Sequence, residues 1–358
     1  MKRSSAAMKP FYAALAAAVV MLIGFALLLR QSANSEANVI AWLTVNFLFL
    51  LGLSQFGVVF IAILRLCFAR WPLAFYRTAH MMTLVGVPIA ILGFLLIFLF
   101  GRDELFYWLG EPEKTNIWVN ETGIVLRFVI AQSIFYLLAW WGYRLSQQQG
   151  KEHALYKLAS WQLVAFVIAN TFLAWDFGML LHDHWLSSVY PIHFFMSSIF
   201  GGCALILLVA LVNDLSVSSR TVENFGRVLI GFSLLWLYFF WAQYIVMWFG
   251  NLPQEIGPIL EQMGPRYGAL FWLMLASVFI IPFLTLISYH VRSSLVRLAP
   301  IALLILIGTW LHRVLTVLPV MEVDISLLGI LTSLAAALMM FFAVSGLAHP
   351  RLDAQHSG

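Results

Sequence analysis

Charged residues are scarce in this chain of 358 residues, because Asp, Glu, Lys and Arg together make up only 10% of it. Soluble globular domains carry about 25% of these residues, which cover the surface that faces water. Hydrophobic residues make up 62% of the chain, and its mean hydropathy is +0.92. This composition excludes an ordinary soluble domain and indicates a protein that crosses a membrane several times.

Cysteine is nearly absent as well, since the chain contains only Cys67 and Cys203. There is no CxxC pair, no CxxCH haem-attachment motif and no ferredoxin-type cysteine run. These absences exclude an iron–sulfur cluster or a c-type haem held by this chain alone. Both cysteines lie in or beside apolar runs, so we expect two buried thiols.

Ten apolar runs of roughly 20 residues follow one another, and this is the length of a helix that crosses the hydrocarbon core. They predict an all-α polytopic membrane protein, residues 1–358 forming one integral-membrane domain. The predicted helices span about residues 11–29, 39–64, 79–100, 123–143, 160–181, 190–213, 226–249, 267–289, 298–316 and 325–347. Leu28, Leu29 and Arg30 stand where a signal peptide has small residues, so we expect the first helix to be retained.

The distribution of basic residues predicts the orientation. With the N-terminus in the cytoplasm, the inner segments hold 14 basic residues: Lys2, Arg3, Lys9, Arg65, Arg70, Arg77, Arg144, Lys151, Lys157, Arg220, Arg227, Arg292, Arg297 and Arg351. The outer segments hold only Arg30, Arg102, Lys114, Arg266 and Arg313. This bias follows the positive-inside rule, so both termini are predicted to be cytoplasmic. It also accounts for the net charge of +4 without a nucleic-acid partner.

The two longest outer loops, residues 101–122 and 250–265, suggest an internal repeat. Both loops are acidic, and both begin with a Phe–Gly pair that follows the third or the seventh helix. The pattern suggests two four-helix units, about residues 39–181 and 190–316, with flanking helices at 11–29 and 325–347.

An unusual group of ionisable residues ends the fifth predicted helix: Asp176, His182, Asp183 and His184. Ionisable side chains at membrane depth are costly and commonly belong to proton relays or substrate paths. Asp176 and Asp183 are two helical turns apart and share a face if the helix continues that far. We expect Asp176 to exchange protons. For Asp183 and the histidines the sequence favours a polar cap at the membrane interface, and the alternative is that the histidines extend the proton route to the outer face.

Other polar side chains lie within the predicted helices. Arg127, near the outer end of the fourth helix, would either reach the interface or pair with Asp176 on the antiparallel fifth helix. The amides are expected to form hydrogen bonds between helices, and the alternative is that they hold water along a proton path: Asn46, Gln55, Gln132, Asn170 and Gln243.

A b-type haem would require two histidines that face each other inside the bundle. His80 and His290 form one pair on the same predicted side of the membrane, and His193 and His312 form another. All four fall at the ends of predicted helices, where histidine is common, so the sequence favours the interpretation without haem.

Two stretches closely resemble the second large membrane subunit of bacterial alternative complex III. The more specific one includes Gly226, Trp236, Tyr238, Phe240, Gln243 and the run Trp-Phe-Gly-Asn-Leu-Pro-Gln-Glu at 248–255. The other matches at Asp176, Met179, Leu181, His184, Trp185 and Ser187. The chain departs from the family where His182 and Asp183 replace an acidic residue followed by proline.

The resemblance implies a ten-helix protein of the bacterial inner membrane, related to polysulfide-reductase-type (NrfD-like) anchors, with two four-helix bundles and a flanking pair. It implies a respiratory electron-transport complex with a sister ten-helix quinol-binding subunit, a periplasmic iron–sulfur protein, and multihaem and monohaem cytochromes c. Iron–sulfur clusters and c-type haems would belong to those partners. This chain would supply structural support and a proton half-channel, and it would not be catalytic alone.

Two other functions are compatible with the sequence. In one, this subunit has a quinone pocket of its own, formed by the same polar cluster. In the other, the chain is a standalone secondary transporter with an inverted repeat. The two Phe–Gly pairs have the same orientation, which argues against inversion.

Overall fold

The structure is a computed structural model that describes residues 2–30, 35–110, 115–182 and 185–349. In this part of the chain, ten helices are long and apolar enough to cross a membrane, and none of these residues forms a strand. The helices are α1 (Lys2–Leu28), α2 (Ser35–Leu66), α3 (Tyr76–Phe100), α4 (Glu121–Ser146), α5 (Glu152–Asp176), α6 (Tyr190–Val212), α7 (Ser219–Phe249), α8 (Gly268–Leu286), α9 (Leu295–Val317) and α10 (Leu327–Ala348). The predicted all-α multi-pass membrane fold is confirmed.

The ten helices form two four-helix bundles and a flanking pair. In the first bundle α2 packs on α3 and α5, and α4 packs on α3 and α5. Helices α6 to α9 form the second bundle in the same order, while α1 packs along α10. Helices α2 and α6 are central, since 94% and 83% of their apolar windows are buried, against 22% for α7. The bundles meet where α2 and α5 contact α6 and where α2 contacts α9.

Close helix crossings depend on glycine at the two central contacts. A Cβ atom on Gly57 of α2 would lie 2.0 Å from the carbonyl oxygen of Ala79 on α3. A Cβ atom on Gly52 would lie 2.3 Å from Ser198 Oγ on α6, at the seam between the bundles. Apolar lipid does not drive helices together, so small residues that permit close backbone approach are a main source of packing energy.

Several helix boundaries follow from capping residues in the sequence. Asn120, Ser218 and Ser326 each accept a hydrogen bond from the backbone N–H three residues later, at the starts of α4, α7 and α10. Such side chains satisfy N–H groups that have no partner within the helix.

Helix α8 contains a π-helical turn, Ala276–Ile280, just before Pro282. Proline has no N–H, so Pro282 cannot bond to the carbonyl four residues earlier, which belongs to Val278. Ser233 Oγ on α7 donates to that carbonyl at 3.3 Å instead. A side chain of the neighbouring helix thus satisfies the interrupted backbone ladder of α8.

Ten passes place both ends of the described chain on one face of the membrane domain. We call this the basic face, because its loops carry most of the Lys and Arg residues, and the opposite one the acidic face. On the acidic face a short amphipathic helix, Pro253–Met263, follows α7, and Glu255 Oε2 accepts a hydrogen bond from the backbone N–H of Leu186 at 3.0 Å.

On the basic face Cys67 directly follows α2 and is exposed, so the expectation of two buried thiols holds only for Cys203.

Candidate functional site

A buried ion pair closes the acidic end of the first bundle. Arg127 on α4 donates from Nη2 to Asp176 Oδ1 at 2.6 Å and from Nε to Asp176 Oδ2 at 3.1 Å. The side chains are only 9% and 2% exposed. Arg127 Nη1 also donates to the carbonyl of Trp118 at 2.6 Å, and the guanidinium carbon lies 4.6 Å from the centroid of the Trp118 ring. The guanidinium therefore points into the protein, and it does not reach for the interface.

Asp176 owes its position to the end of α5. The helix stops at Asp176, and a short 3-10 turn, Met179–Leu181, follows after Gly178. A Cβ atom on Gly178 would lie 2.2 Å from Tyr190 Oη, so the chain turns here against α6. The apolar span continues to Leu181 as expected, but its α-helical part ends five residues earlier. Asp176 is its last residue, and no continuous helix face joins it to Asp183.

Three amides lie deeper in the first bundle. Gln55 Nε2 on α2 donates to Gln132 Oε1 on α4 at 2.5 Å, and Asn170 Nδ2 on α5 donates to Gln55 Oε1 at 2.8 Å. The cluster therefore joins three helices. Gln132 Nε2 and Asn170 Oδ1 are buried and have no hydrogen-bond partner among the described residues. Buried polar atoms of this kind are the usual partners of internal water.

Polar side chains continue from the amides toward the basic face. One turn beyond Gln132, the Tyr136 hydroxyl lies 3.5 Å from Ser54 Oγ. Farther along, Gln162 Nε2 on α5 donates to the carbonyl of Leu138 at 3.0 Å. Near the basic face, the rings of His80 and Tyr143 meet edge to face, with centroids 5.4 Å apart. The first bundle thus carries a file of polar groups along most of its length.

The remaining candidates lie apart from this file. Gln243 is buried on α7, in the second bundle. His182 follows the 3-10 turn, and its ring contacts that of Trp185 with centroids 5.2 Å apart. Burial lowers the pKa of His182 to about 4, so its imidazole is neutral at physiological pH. Asp183 and His184 lie outside the described residues.

A second polar cluster, in the α6–α9 bundle, is not predicted by the sequence analysis. Arg313, assigned there to an outer segment, lies inside α9 and is only 1% exposed. Its Nη2 donates to the carbonyl of Phe194 at 2.7 Å and to Ser198 Oγ at 2.8 Å. Thr309 and Thr316 occupy the same face of α9, and this polar stripe in an apolar helix is the signal that predicts an inward-facing arginine.

Two histidines lie beside Arg313. The His193 and His312 rings contact each other with centroids 4.7 Å apart, which leaves no space for a haem iron between them. Ser197 Oγ lies 2.9 Å from His312 Nδ1 and accepts a hydrogen bond from Trp236 Nε1 at 2.7 Å. The other sequence pair does not form, since His80 is buried against Tyr143.

The histidine that the sequence pairs with His80 is His290. It is exposed on the short helix Tyr289–Arg292, beside Arg297.

The two clusters differ in their chemistry. The first holds a carboxylate, which can take up and release a proton, together with amides that can bind water. The second presents mainly donors around a guanidinium that stays charged at any physiological pH. No protein-family model matches the chain, and no curated protein matches it either.

Proposed function

We propose that this chain is an integral-membrane subunit of a quinol-oxidising respiratory complex of the alternative complex III type, and that its first bundle is a proton half-channel. The observation that carries the proposal is the buried Arg127–Asp176 pair at the head of a file of polar side chains. Asp176 is the protonatable group of the route, and Arg127 holds it in place.

The spacing of polar groups supports the route. At 1.5 Å per residue, Asn170 lies about 9 Å below Asp176, and Tyr136 lies about 6 Å below Gln132. One or two water molecules span such gaps, and the unpaired atoms Gln132 Nε2 and Asn170 Oδ1 offer them hydrogen bonds. The route thus leads from the centre of the first bundle to the acidic face, which the charge bias predicts to be periplasmic.

The assembly part of the proposal rests on the sequence resemblance and on its agreement with the helix arrangement. The resemblance implies two four-helix bundles with a flanking pair, and the helices pack in this way. We propose the bacterial inner membrane as the location. The proposed partners are a sister ten-helix quinol-binding subunit, a periplasmic iron–sulfur protein, and multihaem and monohaem cytochromes c.

A quinone pocket of its own is a less well supported role for this chain. A groove of about 500 Å³ lies between α2, α6, α9 and α10, but its lining is apolar apart from Ser333 and the Trp310 edge. None of the described proton-route candidates lines it. A quinone headgroup needs hydrogen-bond partners for its two oxygens, whereas a lipid acyl chain needs none, so the groove fits lipid better.

The assembly is tested by purification of the tagged chain from its native membrane in mild detergent, followed by mass spectrometry. We expect an iron–sulfur protein, a second ten-helix subunit and cytochromes c to accompany it. A chain recovered alone would refute the complex, and uptake by the reconstituted protein would then support a standalone transporter.

The proton route is tested by quinol oxidation and proton release in the reconstituted complex. The double variant R127Q/D176N removes both charges of the buried pair and leaves no uncompensated ion. We expect it to assemble but to lose turnover or proton release at least tenfold. The control R266Q/D324N removes an exposed ion pair on the acidic face and should change neither. Wild-type rates in R127Q/D176N at saturating quinol would refute a role for Asp176.

A further inference from the structure

The unusual feature of the second bundle is a buried arginine, Arg313, whose charge has no partner among the described residues. Among the described residues, no carboxylate lies within 4.0 Å of Arg313, and its Nη1 is buried without a hydrogen-bond partner. Its guanidinium carbon lies 3.6 Å from the centroid of the Phe194 ring, so aromatic contact replaces the usual ion pair. Arginine does not lose its proton in proteins, so the positive charge persists.

Arg127 provides the comparison within the same chain. Both arginines lie near the acidic-face ends of their bundles, and both are nearly or fully buried. Arg127 meets a bidentate carboxylate, Asp176, whereas the hydrogen-bond acceptors of Arg313 in the described part of the chain are only a carbonyl and a hydroxyl. Buried charges in proteins are normally paired, and a membrane-spanning helix makes this requirement stricter. A negative charge from outside the described residues is therefore expected at Arg313.

The surroundings of Arg313 suit an anion. His193 Nε2 is buried and has no hydrogen-bond partner in the part of the chain that the structure describes, and an imidazole nitrogen can present an N–H group. The Tyr190 hydroxyl is buried close to Arg313 and Thr316, and it lies against Gly178 at the start of the turn that follows α5. This end of the seam therefore combines one fixed positive charge, on Arg313, with two buried nitrogens, Arg313 Nη1 and His193 Nε2, that have no hydrogen-bond partner among the described residues.

The packing restricts the size of the anion. Phe194 and Trp236 are fully buried large side chains, and Tyr190 and His193 are buried beside them. A single guanidinium balances a single negative charge. We propose that the seam between the two bundles binds one small monovalent anion, of the size of chloride, on Arg313 Nη1 and with donors from α6.

The test uses the purified full-length chain in detergent and measures thermal unfolding in sodium chloride, sodium bromide or sodium gluconate at constant ionic strength. An anion that binds only the folded state stabilises it in a saturable manner. We expect chloride and bromide to raise the apparent Tm by a few degrees over gluconate. The effect should disappear in R313Q and persist in R266Q, which alters an exposed arginine.

Two further measurements keep the proposal falsifiable if R313Q does not fold. Anomalous scattering from wild-type crystals grown in bromide should show a peak in contact with Arg313 Nη1, and the absence of a peak there would overturn the proposal. The variant D183N tests an internal carboxylate as the partner. If the wild type responds equally to chloride and gluconate while D183N gains a chloride response, Asp183 supplies the charge and the exogenous anion is excluded.

Discussion

Replacement of Asp176 by asparagine removes one charge of a buried pair and leaves the other in the protein. The variant loses charge-assisted hydrogen bonds of 2.6 and 3.1 Å to a guanidinium that is 9% exposed and cannot lose its proton. Removal of one partner of a buried pair costs about 3–5 kcal/mol. Part of this loss is offset because the Trp118 carbonyl and ring still contact Arg127, so we expect about 3 kcal/mol.

The double variant R127Q/D176N should recover most of that loss. Without either charge, the site contains two neutral amides of similar size, and replacement of a whole buried pair is often close to neutral in stability. We therefore expect the double variant to lie within about 1 kcal/mol of the wild type. The coupling energy of the cycle should then amount to several kcal/mol, above the range of about 0.5–3 kcal/mol that is usual for residues in contact.

The measurement is unfolding in mixed micelles with increasing sodium dodecyl sulfate, followed by tryptophan fluorescence. The exposed pair Arg266–Asp324, whose side chains are 43% and 81% exposed, serves as the control, and its coupling should stay below about 1 kcal/mol. The reasoning is refuted if D176N unfolds like the wild type. It is also refuted if R127Q/D176N is as unstable as D176N, because the loss would then not come from an uncompensated charge.

Three further predictions concern packing, the amide cluster and pH. Gly57→Ala should destabilise the protein by about 1–3 kcal/mol, because the added Cβ would collide with the neighbouring helix. Gly231→Ala, with no described atom within 4 Å of the added Cβ, should be neutral or stabilising. Equal stability of the two variants would contradict the close approach of α2 and α3 at Gly57. Asn170→Leu should cost about 1–2 kcal/mol, and its unfolding should match the wild type if the amides contribute nothing. Burial lowers the pKa of His182 to about 4 in the folded protein, whereas the imidazole in the unfolded chain keeps its usual pKa of about 6.5. Between these two pH values the unfolded chain binds the proton more strongly, so the free energy of unfolding falls as the pH drops from 6.5 toward 4. We measure apparent Tm between pH 6.5 and 4. His182→Gln should reduce the fall of apparent Tm over this range, whereas His153→Gln, at an exposed site, should not. Identical pH profiles for His182→Gln and the wild type would exclude His182 as the cause of the fall.

Hydropathy alone predicts the number of helices and most of their bounds, since a membrane imposes both their length and their apolar character. The pairing of Arg127 with Asp176 also follows from the sequence, because a short loop makes α4 and α5 antiparallel neighbours. The end of α5 does not follow. The apolar run continues to Leu181, but the backbone turns after Asp176 because Tyr190 of α6 occupies the space beside Gly178. That contact is tertiary, and the local sequence offers only Gly178 as a stop signal within an otherwise apolar run.

The position of Arg313 shows a different limit. An arginine one turn from a predicted helix end can extend to water or point into the bundle, and the rotation of the helix decides between them. That rotation depends on packing at the seam, where Gly52 allows Ser198 to approach α2 and Ser198 Oγ accepts a hydrogen bond from Arg313. A count of charged residues in each loop cannot distinguish an arginine that points to water from one that points into the bundle. The spacing of Thr309 and Thr316 on α9 does distinguish them, because it marks the polar face of the helix that carries Arg313.

Comparison of the two bundles indicates how the proposed roles divide between them. The fourth helix of each bundle carries an ionisable residue near its acidic-face end, Asp176 on α5 and Arg313 on α9. A carboxylate can alternate between charged and neutral forms, whereas a guanidinium keeps one charge throughout. A protonation cycle on this residue can therefore operate in the first bundle, whereas Arg313 holds a fixed positive charge in the second and attracts negative charge to it. If the anion site exists, it lies at the seam behind Tyr190, next to the turn that ends at His182. Occupancy of that site would then affect the acidic-face opening of the proton route through packing, and proton release should depend on chloride in the wild type but not in R313Q.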